Sequence, residues 1–191
     1  GDDGKAYVRG RYDNNMRYLD DQLARFFQRI GNDAVVMIVS DHGEEFWDHG
    51  GFEHGHTLYD ELLRVPLILK GPGVEKGVFH EPTSLIDVAP TLAGIAGIDG
   101  AGMVGSDLRL LASGNATDMF RQRPQAFGRP LYGLRRWGSL EDGTKFMVHQ
   151  GIEELYDLDS DPGEQMNLAG TVDTTDAKLS LIHISEPTRL S

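Results

Sequence analysis

The apolar positions change from a helical period to continuous runs over the first part of the chain. Between residues 12 and 30, apolar residues recur every three or four positions, which predicts an amphipathic helix that ends at Gly31. The stretches at 34–39 (AVVMIV) and 65–70 (VPLILK) are unbroken apolar runs. Strands with apolar residues on both faces are usually buried between helix layers in parallel sheets, so we predict two such strands.

Further elements follow at shorter intervals. Residues 57–64 (TLYDELLR) predict a short helix, and residues 84–98 (SLIDVAPTLAGIAGI) predict a strand end that runs into a helix with Asp87 as N-cap. Pro90 would then lie in the first turn, where its missing N–H costs nothing. Helices that alternate with buried strands indicate an α/β sandwich, with a mostly parallel sheet between helices, over residues 1–129.

The pattern changes again towards the C-terminus. Short apolar stretches at 130–137 (PLYGLRRW), 144–150 (TKFMVHQ) and 153–158 (EELYDL) are separated by turns that contain glycine, so we predict three strands. Short, closely spaced strands are typical of antiparallel sheets. We therefore place a small antiparallel α+β subdomain at residues 130–178.

The composition narrows the possible partners. The chain has 191 residues, carries a net charge of −12 and has no dense run of Lys or Arg, so we expect no nucleic-acid partner. No apolar run approaches the roughly 20 residues that span a bilayer, so we expect no membrane span in this chain. Because there is no cysteine, disulfides, thiolate metal sites and a cysteine nucleophile are excluded within these residues.

Residues with metal-ligand chemistry cluster where the first predicted strand ends. Residues 40–56 (SDHGEEFWDHGGFEHGH) contain four histidines and five carboxylates. Ligands of open α/β sheets bind beyond the carboxyl ends of the strands, where Asp41 and His42 emerge, and Gly43 lets the chain turn away from both. A carboxylate beside an imidazole suits Ca²⁺, Mg²⁺, Mn²⁺ or Zn²⁺, although two ligands are too few to hold a metal alone. Alternatively, Asp41 caps the next turn and His42 is an ordinary polar residue.

Four stretches of the chain occur in an order that characterises a known family. Residues 35–73 contain a strand that runs into Ser-Asp-His-Gly-Glu, followed by Tyr-Asp-Glu and Arg-Val-Pro-Leu. The other three stretches are YDNNMRYLDDQLARFF before that strand, then TSLIDVAPTLAGIAGI and EELYDLDSDPGEQMNLAG after it. Together they resemble the sulfatase family of the alkaline phosphatase superfamily, over about residues 7 to 170. Four motifs in the expected order make this resemblance specific.

The resemblance implies a reaction and roles for individual residues. It implies that an alkaline-phosphatase-like α/β sandwich hydrolyses a sulfate ester of a carbohydrate or another organic alcohol to alcohol and sulfate. Asp41 and His42 match the family's late pair of metal ligands, which usually bind Ca²⁺. The family places a basic residue just before the Tyr-Asp-Glu segment, and the candidates here are His56 first, then His54. Either could contact the sulfate or act as general acid to the leaving alcohol.

The family's nucleophile motif has no counterpart in the expected place. Sulfatases use a formylglycine made from the Cys or Ser of a Cys/Ser-x-Pro-x-Arg motif in their N-terminal half. Only residues 185–189 (SEPTR) fit that spacing, and they lie near the C-terminus. We therefore expect the chain to be the C-terminal portion of a sulfatase, inactive by itself. The formylglycine and the early metal-binding Asp pair would lie upstream of Gly1.

Two other functions fit the same residues. The first is a phosphate or phosphonate ester hydrolase or transferase of the same superfamily, which would use a different nucleophile. The second is a non-catalytic module whose histidine-rich loop holds a metal or a partner. For the sulfatase, the implied partner is a small-molecule or glycan sulfate ester, and a periplasmic or secreted location is compatible with the family.

The last residues depart from the family pattern. Residues 179–191 (LSLIHISEPTRLS) resemble the translation of an adapter used in DNA library preparation. The alternative is a short native strand over 179–184 that ends before Pro187. We expect a non-native tail that docks poorly, and we expect no functional role for His183.

Overall fold

Helix α1 (Asp2–Ile30) is the longest element of the computed structural model, which describes residues 1–112, 114, 116–128, 130–133 and 135–185. The helix predicted from the apolar period is confirmed and begins ten residues earlier than predicted. It ends at Gly31, whose positive φ of 69° favours glycine. Among the described residues, no helix combines the length and the apolar character that crossing a membrane requires.

Contacts divide the chain into two compact units, of which the first comprises residues 1–54 and 64–74. In this unit β1 (Val36–Val39) pairs with β4 (Leu67–Lys70), and the pairing is antiparallel. The parallel arrangement that we predicted for these strands is wrong for this pair, because an apolar run carries no information about strand direction. The predicted burial of both faces is wrong as well, since the residues of β1 and β4 are half-buried or exposed. One face of the pair is also open, since Ile68 is 55% exposed.

The histidine-rich stretch forms a small hairpin in the same unit. Strand β2 (Glu45–Phe46) pairs with β3 (Phe52–Glu53), and Tyr12 of α1 packs edge-on against Phe46 with ring centroids 5.0 Å apart. Arg9 of the same helix donates to the carbonyl of Phe46 at 2.6 Å. The polar stretch is therefore tied to the long helix by packing and hydrogen bonding.

The second unit comprises residues 55–63 and 75–191, and its helices are short. They are α2 (Asp60–Leu63), α3 (Val88–Ala96), α4 (Arg109–Ala112), α5 (Thr117–Gln122) and α6 (Thr175–Ser185). The helices predicted at 57–64 and 84–98 are confirmed as α2 and α3. The strand end predicted before α3 is wrong, since Leu85–Asp87 form a turn of 3₁₀ helix. The domain boundaries at residues 129 and 178 stay predictions.

A four-stranded antiparallel sheet lies in the second unit. Its order is β5 (Gln125–Gly128), β6 (Trp137–Glu141), β7 (Thr144–His149) and β8 (Ile152–Asp157). The last two strands are confirmed as predicted. The strand predicted at 130–137 is wrong, since Gly133 has a φ of 79° and, of the described residues in that range, Trp137 alone joins the sheet.

Strand β7 contributes to two apolar clusters. Met147 packs with Leu58 and Tyr156, whereas the adjacent Phe146 packs with Leu155 and Leu181. Successive residues of a strand point to opposite faces, so the two clusters lie on opposite faces of the sheet. All six side chains are buried.

Asp87 does not cap helix α3 with its side chain, so the predicted capping role is wrong. Asp87 precedes α3, but its side chain makes no cap bond to that helix. One carboxylate oxygen accepts from the backbone N–H of Ser84, and the other accepts from that of Ser106, both at 2.8 Å. Both oxygens accept from Arg123 at 2.7 Å. The sequence gives no sign of this buried pair because its partners are 36 residues apart.

The C-terminal helix α6 contradicts the expected poor docking of the tail and the alternative of a native strand, over residues 179–185. Its residues form a helix where the alternative was a strand, and Leu181 docks in the Phe146 cluster where we expected poor docking. The reason is helical spacing, since Ala177 and Leu181 lie four residues apart on one face. Residues 186–191 lie outside the described residues. The origin of the tail and the absence of a role for His183 stay predictions.

Candidate functional site

Asp41 and His42 lie where strand β1 ends, as the sequence predicts. The side chain of Asp41 is 88% exposed, so it does not point into a core. One of its oxygens, Oδ1, accepts the backbone N–H of His42 at 3.1 Å. The hydroxyl of Ser40 donates to the carbonyl of His42 at 2.7 Å. These local bonds fix the backbone that carries both side chains.

A backbone carbonyl sets the tautomer of His42. The ring nitrogen Nδ1 lies 2.8 Å from the carbonyl oxygen of Gly43, which can only accept. Nδ1 therefore carries the hydrogen, and in the neutral imidazole Nε2 keeps its lone pair. That nitrogen lies 3.7 Å from Oδ1 of Asp41. One nitrogen and one carboxylate oxygen thus converge, which is a donor set that fits a divalent cation.

This pair does not complete a metal site by itself. In the described part of the chain, no group of three or more His, Asp or Glu side chains is arranged to hold a metal ion. Calcium takes six to eight oxygen ligands, and zinc takes about four ligands. A cation held by Asp41 and His42 therefore needs further donors beyond these two.

His54 lies against the pair in the same unit. Its ring stacks on that of His42, with centroids 4.0 Å apart and planes inclined by 23°. Its Nδ1 lies 3.2 Å from Oε1 of Glu44, a contact that becomes an ion pair whenever the imidazole is protonated. The structure therefore brings together three of the four predicted site residues, Asp41, His42 and His54.

A buried carboxylate holds the hairpin between these histidines. Glu45 is fully buried, and its Oε1 accepts the backbone N–H groups of His49 at 3.1 Å and Gly51 at 2.6 Å. Trp47 adopts a φ of 66° at the turn and stacks on Phe52 at 4.9 Å. A buried carboxylate is costly unless it is hydrogen-bonded, so these bonds both satisfy Glu45 and define the loop.

His56, the first candidate for sulfate contact, belongs to the second unit. It is half-buried, and the carbonyl of the preceding Gly55 accepts from the backbone N–H of Tyr132 at 2.6 Å. The segment continues into the buried Leu58. Its position in the chain next to the Tyr-Asp-Glu segment is the argument for its role, and that role stays a prediction.

Two buried polar clusters near this segment are absent from the sequence predictions. In the first, Nζ of the fully buried Lys145 lies 2.8 Å from Asp60 and 2.7 Å from Glu164. In the second, Glu154 accepts from the hydroxyls of Tyr59 at 2.7 Å and Tyr156 at 3.0 Å. Buried charges need partners, so an isolated Lys in a strand pattern is the only sequence signal for the first cluster.

The pKa values of both tyrosines in this second cluster are raised. Burial, together with the hydrogen bond and the negative charge of Glu154, raises the pKa of Tyr59 to about 12. Burial and the same carboxylate also raise the pKa of Tyr156. Both hydroxyls therefore stay protonated and act as hydrogen-bond donors at neutral pH.

Comparison with known proteins identifies the family. Residues 1–98 match the sequence model of the Sulfatase family. The chain is 30% identical to the Choline-sulfatase of Rhizobium meliloti. The aligned region covers 84% of this chain and 33% of that protein. It is 31% identical to the Delta 4,5-hexuronate-2-O-sulfatase of Bacteroides thetaiotaomicron, and the aligned region covers 73% of this chain and 31% of that protein.

A solved structure supports the fold class. The chain superposes on a phosphonate monoester hydrolase of Agrobacterium radiobacter with a TM-score of 0.68 and 25% identity, covering 89% of this chain and 38% of that one. The predicted fold class, a partial α/β sandwich of this superfamily with a small antiparallel sheet at its C-terminal end, is thereby confirmed. The chain spans about a third of the length of the curated relatives it matches. It belongs to the sulfatase family.

Proposed function

We propose that the chain forms part of a metal-dependent sulfatase that hydrolyses a sulfate ester of a carbohydrate or another organic alcohol to alcohol and sulfate. The observation that carries the proposal is the convergence of Asp41 Oδ1 and His42 Nε2, 3.7 Å apart, at the end of β1. Relatives named as sulfatases of choline and of a hexuronate support the reaction class.

Asp41 and His42 are the proposed metal ligands, with Ca²⁺ as the preferred ion and Mg²⁺, Mn²⁺ or Zn²⁺ as alternatives. A bound divalent cation would supply positive charge to the sulfate oxygens. The carbonyl of Gly43 keeps the hydrogen of His42 on Nδ1, which leaves Nε2 available as a donor atom. Further ligands would come from residues outside this pair.

His56 and His54 are the proposed contacts for the anion and the leaving group. A protonated imidazole can donate to a sulfate oxygen or transfer its proton to the oxygen of the departing alcohol. Beside His54, the carboxylate of Glu44 at 3.2 Å orients the ring. Since the chain carries a net charge of −12, attraction of a sulfate ester depends on local positive groups of this kind.

The nucleophile of the proposed reaction is a formylglycine supplied from outside this chain. In the sequence, only residues 185–189 fit the spacing of the precursor motif, and they lie near the C-terminus. Nucleophilic attack requires the nucleophile in register with the metal ligands. We therefore propose that the activity belongs to the whole protein.

The test compares turnover with metal content in the whole protein. We expect removal of divalent metal with a chelator to abolish hydrolysis of 4-nitrophenyl sulfate, and added Ca²⁺ to restore it best among the four ions. Asp41→Asn should lower the affinity for Ca²⁺ about tenfold or more. Glu53→Gln removes an exposed carboxylate from the same hairpin and serves as the control. Equal effects of both substitutions would contradict the assignment of Asp41.

A phosphonate or phosphate ester hydrolase is the second candidate function. The superposition on a phosphonate monoester hydrolase favours it. Parallel assays with 4-nitrophenyl sulfate and 4-nitrophenyl phenylphosphonate decide between the two by their kcat/KM ratio. Tight Ca²⁺ binding without turnover of either ester would instead identify a non-catalytic metal-binding module.

A further inference from the structure

The segment that carries His56 folds with the C-terminal sheet. Residues 55–63 belong to the same unit as strands β5–β8. Leu58 packs against Met147 of β7 and Tyr156 of β8, and Tyr59 donates to Glu154 at 2.7 Å. The sheet therefore contacts this segment through both apolar and polar side chains.

A buried cluster of three charged residues fixes the start of α2. Lys145 of β7 contacts Oδ1 of Asp60 at 2.8 Å and Oε1 of Glu164 at 2.7 Å. The other oxygen of Glu164 accepts the backbone N–H of Asp60 at 2.6 Å. Lys145 and Glu164 are both almost fully buried. The three contacts form a closed arrangement that links the first residue of α2, the strand β7 and the turn at Glu164.

The short helix depends on this cluster. Helix α2 has four residues, and isolated helices shorter than about 12 residues are marginal in water. At its start, the backbone N–H groups of Leu62 and Leu63 donate to the carbonyl of Tyr59 at 2.9 and 3.1 Å. External contacts therefore hold the conformation of α2 and of the chain that leads into it.

The conformation of Glu164 indicates that its position matters. Its φ is 52°, in the left-handed region that non-glycine residues rarely adopt. Such a conformation persists only where the surroundings impose it, and these outliers concentrate at functional sites. Burial raises the pKa of Glu164, while the nearby Lys145 acts in the opposite direction. The lysine thus favours the charged carboxylate that accepts the N–H of Asp60.

We propose that Lys145 is a positioning residue for the proposed reaction: by holding Asp60 and Glu164, it fixes the backbone four residues beyond His56. The inference rests on the proposed role of His56. Lys145 itself is fully buried and does not reach a substrate.

Amide hydrogen exchange of this chain tests the structural part of the inference. In Asp60→Ala, which keeps the Lys145–Glu164 pair, the amides of Leu62 and Leu63 should exchange about tenfold faster or more. The amides that pair β6 with β7 should keep their rates, since the sheet stays folded. Lys145→Met should give the same local pattern.

The matched control is Lys178→Met, which removes an ion pair of 2.7 Å to Glu153 in the same unit. It should leave the exchange of Leu62 and Leu63 unchanged. Unchanged exchange of these two amides in Asp60→Ala, or equal acceleration in the control, would overturn the inference.

Kinetics of the whole protein with 4-nitrophenyl sulfate test the catalytic part. Asp60→Ala should lower kcat about tenfold or more while KM stays nearly constant. The reason is that a misplaced His56 would weaken stabilisation of the transition state more than binding of the substrate. If turnover falls in His56→Ala but not in Asp60→Ala, the inference is wrong and the role of His56 stands. If His56→Ala keeps full turnover, the role of His56 is wrong, and the inference is wrong with it.

Discussion

The imidazole of His54 stacks on that of His42 with ring centroids 4.0 Å apart, and each ring is held by a different acceptor. The carbonyl of Gly43 holds Nδ1 of His42, and the carboxylate of Glu44 holds Nδ1 of His54. The two rings are therefore oriented independently, although they share one contact face. Their contributions to metal binding and to catalysis can be separated by substitution.

Replacement of each stacked histidine by phenylalanine should affect Ca²⁺ binding differently. His42→Phe removes the proposed ligand atom Nε2 and should weaken binding about tenfold or more. His54→Phe keeps a ring on the same face and should change the affinity much less. Calorimetric titration of the whole protein with CaCl₂ measures both. Similar losses in the two variants would contradict the assignment of His42 as the ligand.

His56 should contribute more to catalysis than His54. If His56 is the general acid or the anion contact, His56→Gln should lower kcat by about 10²- to 10⁴-fold, the usual contribution of a positioned proton donor. His54→Gln should have a smaller effect. Steady-state kinetics with 4-nitrophenyl sulfate give the comparison, and a larger loss in His54→Gln would reverse the order of the two candidates.

The buried pair of Asp87 and Arg123 should be important for stability. Arg123→Met leaves a buried carboxylate without its cation, and breaking such a pair costs about 3–5 kcal/mol. The control is Arg121→Met, since Arg121 pairs with two exposed carboxylates, Asp142 at 2.7 Å and Asp159. The free energy of unfolding in urea should fall far more for Arg123→Met. Similar losses would show that the buried pair has no special role.

The tyrosine cluster predicts a loss of stability at high pH. The pKa of Tyr59 is about 12 in the folded chain, against about 10 for an unfolded tyrosine. The folded state therefore keeps a proton that the unfolded state releases, and this stabilising contribution is complete below pH ~10 and is lost as the pH rises towards ~12. Tyr59→Phe should flatten the decline of the unfolding free energy across that range. An unchanged slope would exclude Tyr59 as its source.

The regular elements were predictable where one physical signal dominates. The apolar period of α1 reflects one apolar helix face, and the short apolar runs of β7 and β8 reflect packing on both faces of the sheet. A sequence reports both patterns directly. The position of Asp41 and His42 at the end of β1 was predictable from the apolar run at 34–39. The antiparallel pairing of β1 with β4 did not, because direction depends on how residues 40–66 return the chain.

The ion pairs were not predictable from the sequence. Asp87 and Arg123 are 36 residues apart, and Lys145 and Asp60 are 85 residues apart, so no local pattern links them. Asp87 has the residue type and the location of a helix N-cap, and its longer-range partners take the carboxylate instead. The docking of Leu181 was missed for a related reason, since a short apolar stretch fits a helix as well as a strand.

The alternation along β7 also specifies the register of the sheet. Lys145 and Met147 face one side, towards Asp60 and Leu58, while Phe146 faces the other side, towards Leu155 and Leu181. A slip of one residue would turn every side chain of the strand to the opposite face. The ammonium group of Lys145 would then enter the apolar cluster without a carboxylate partner, which is strongly unfavourable. One lysine thus selects the correct strand pairing during folding against its nearest competitor.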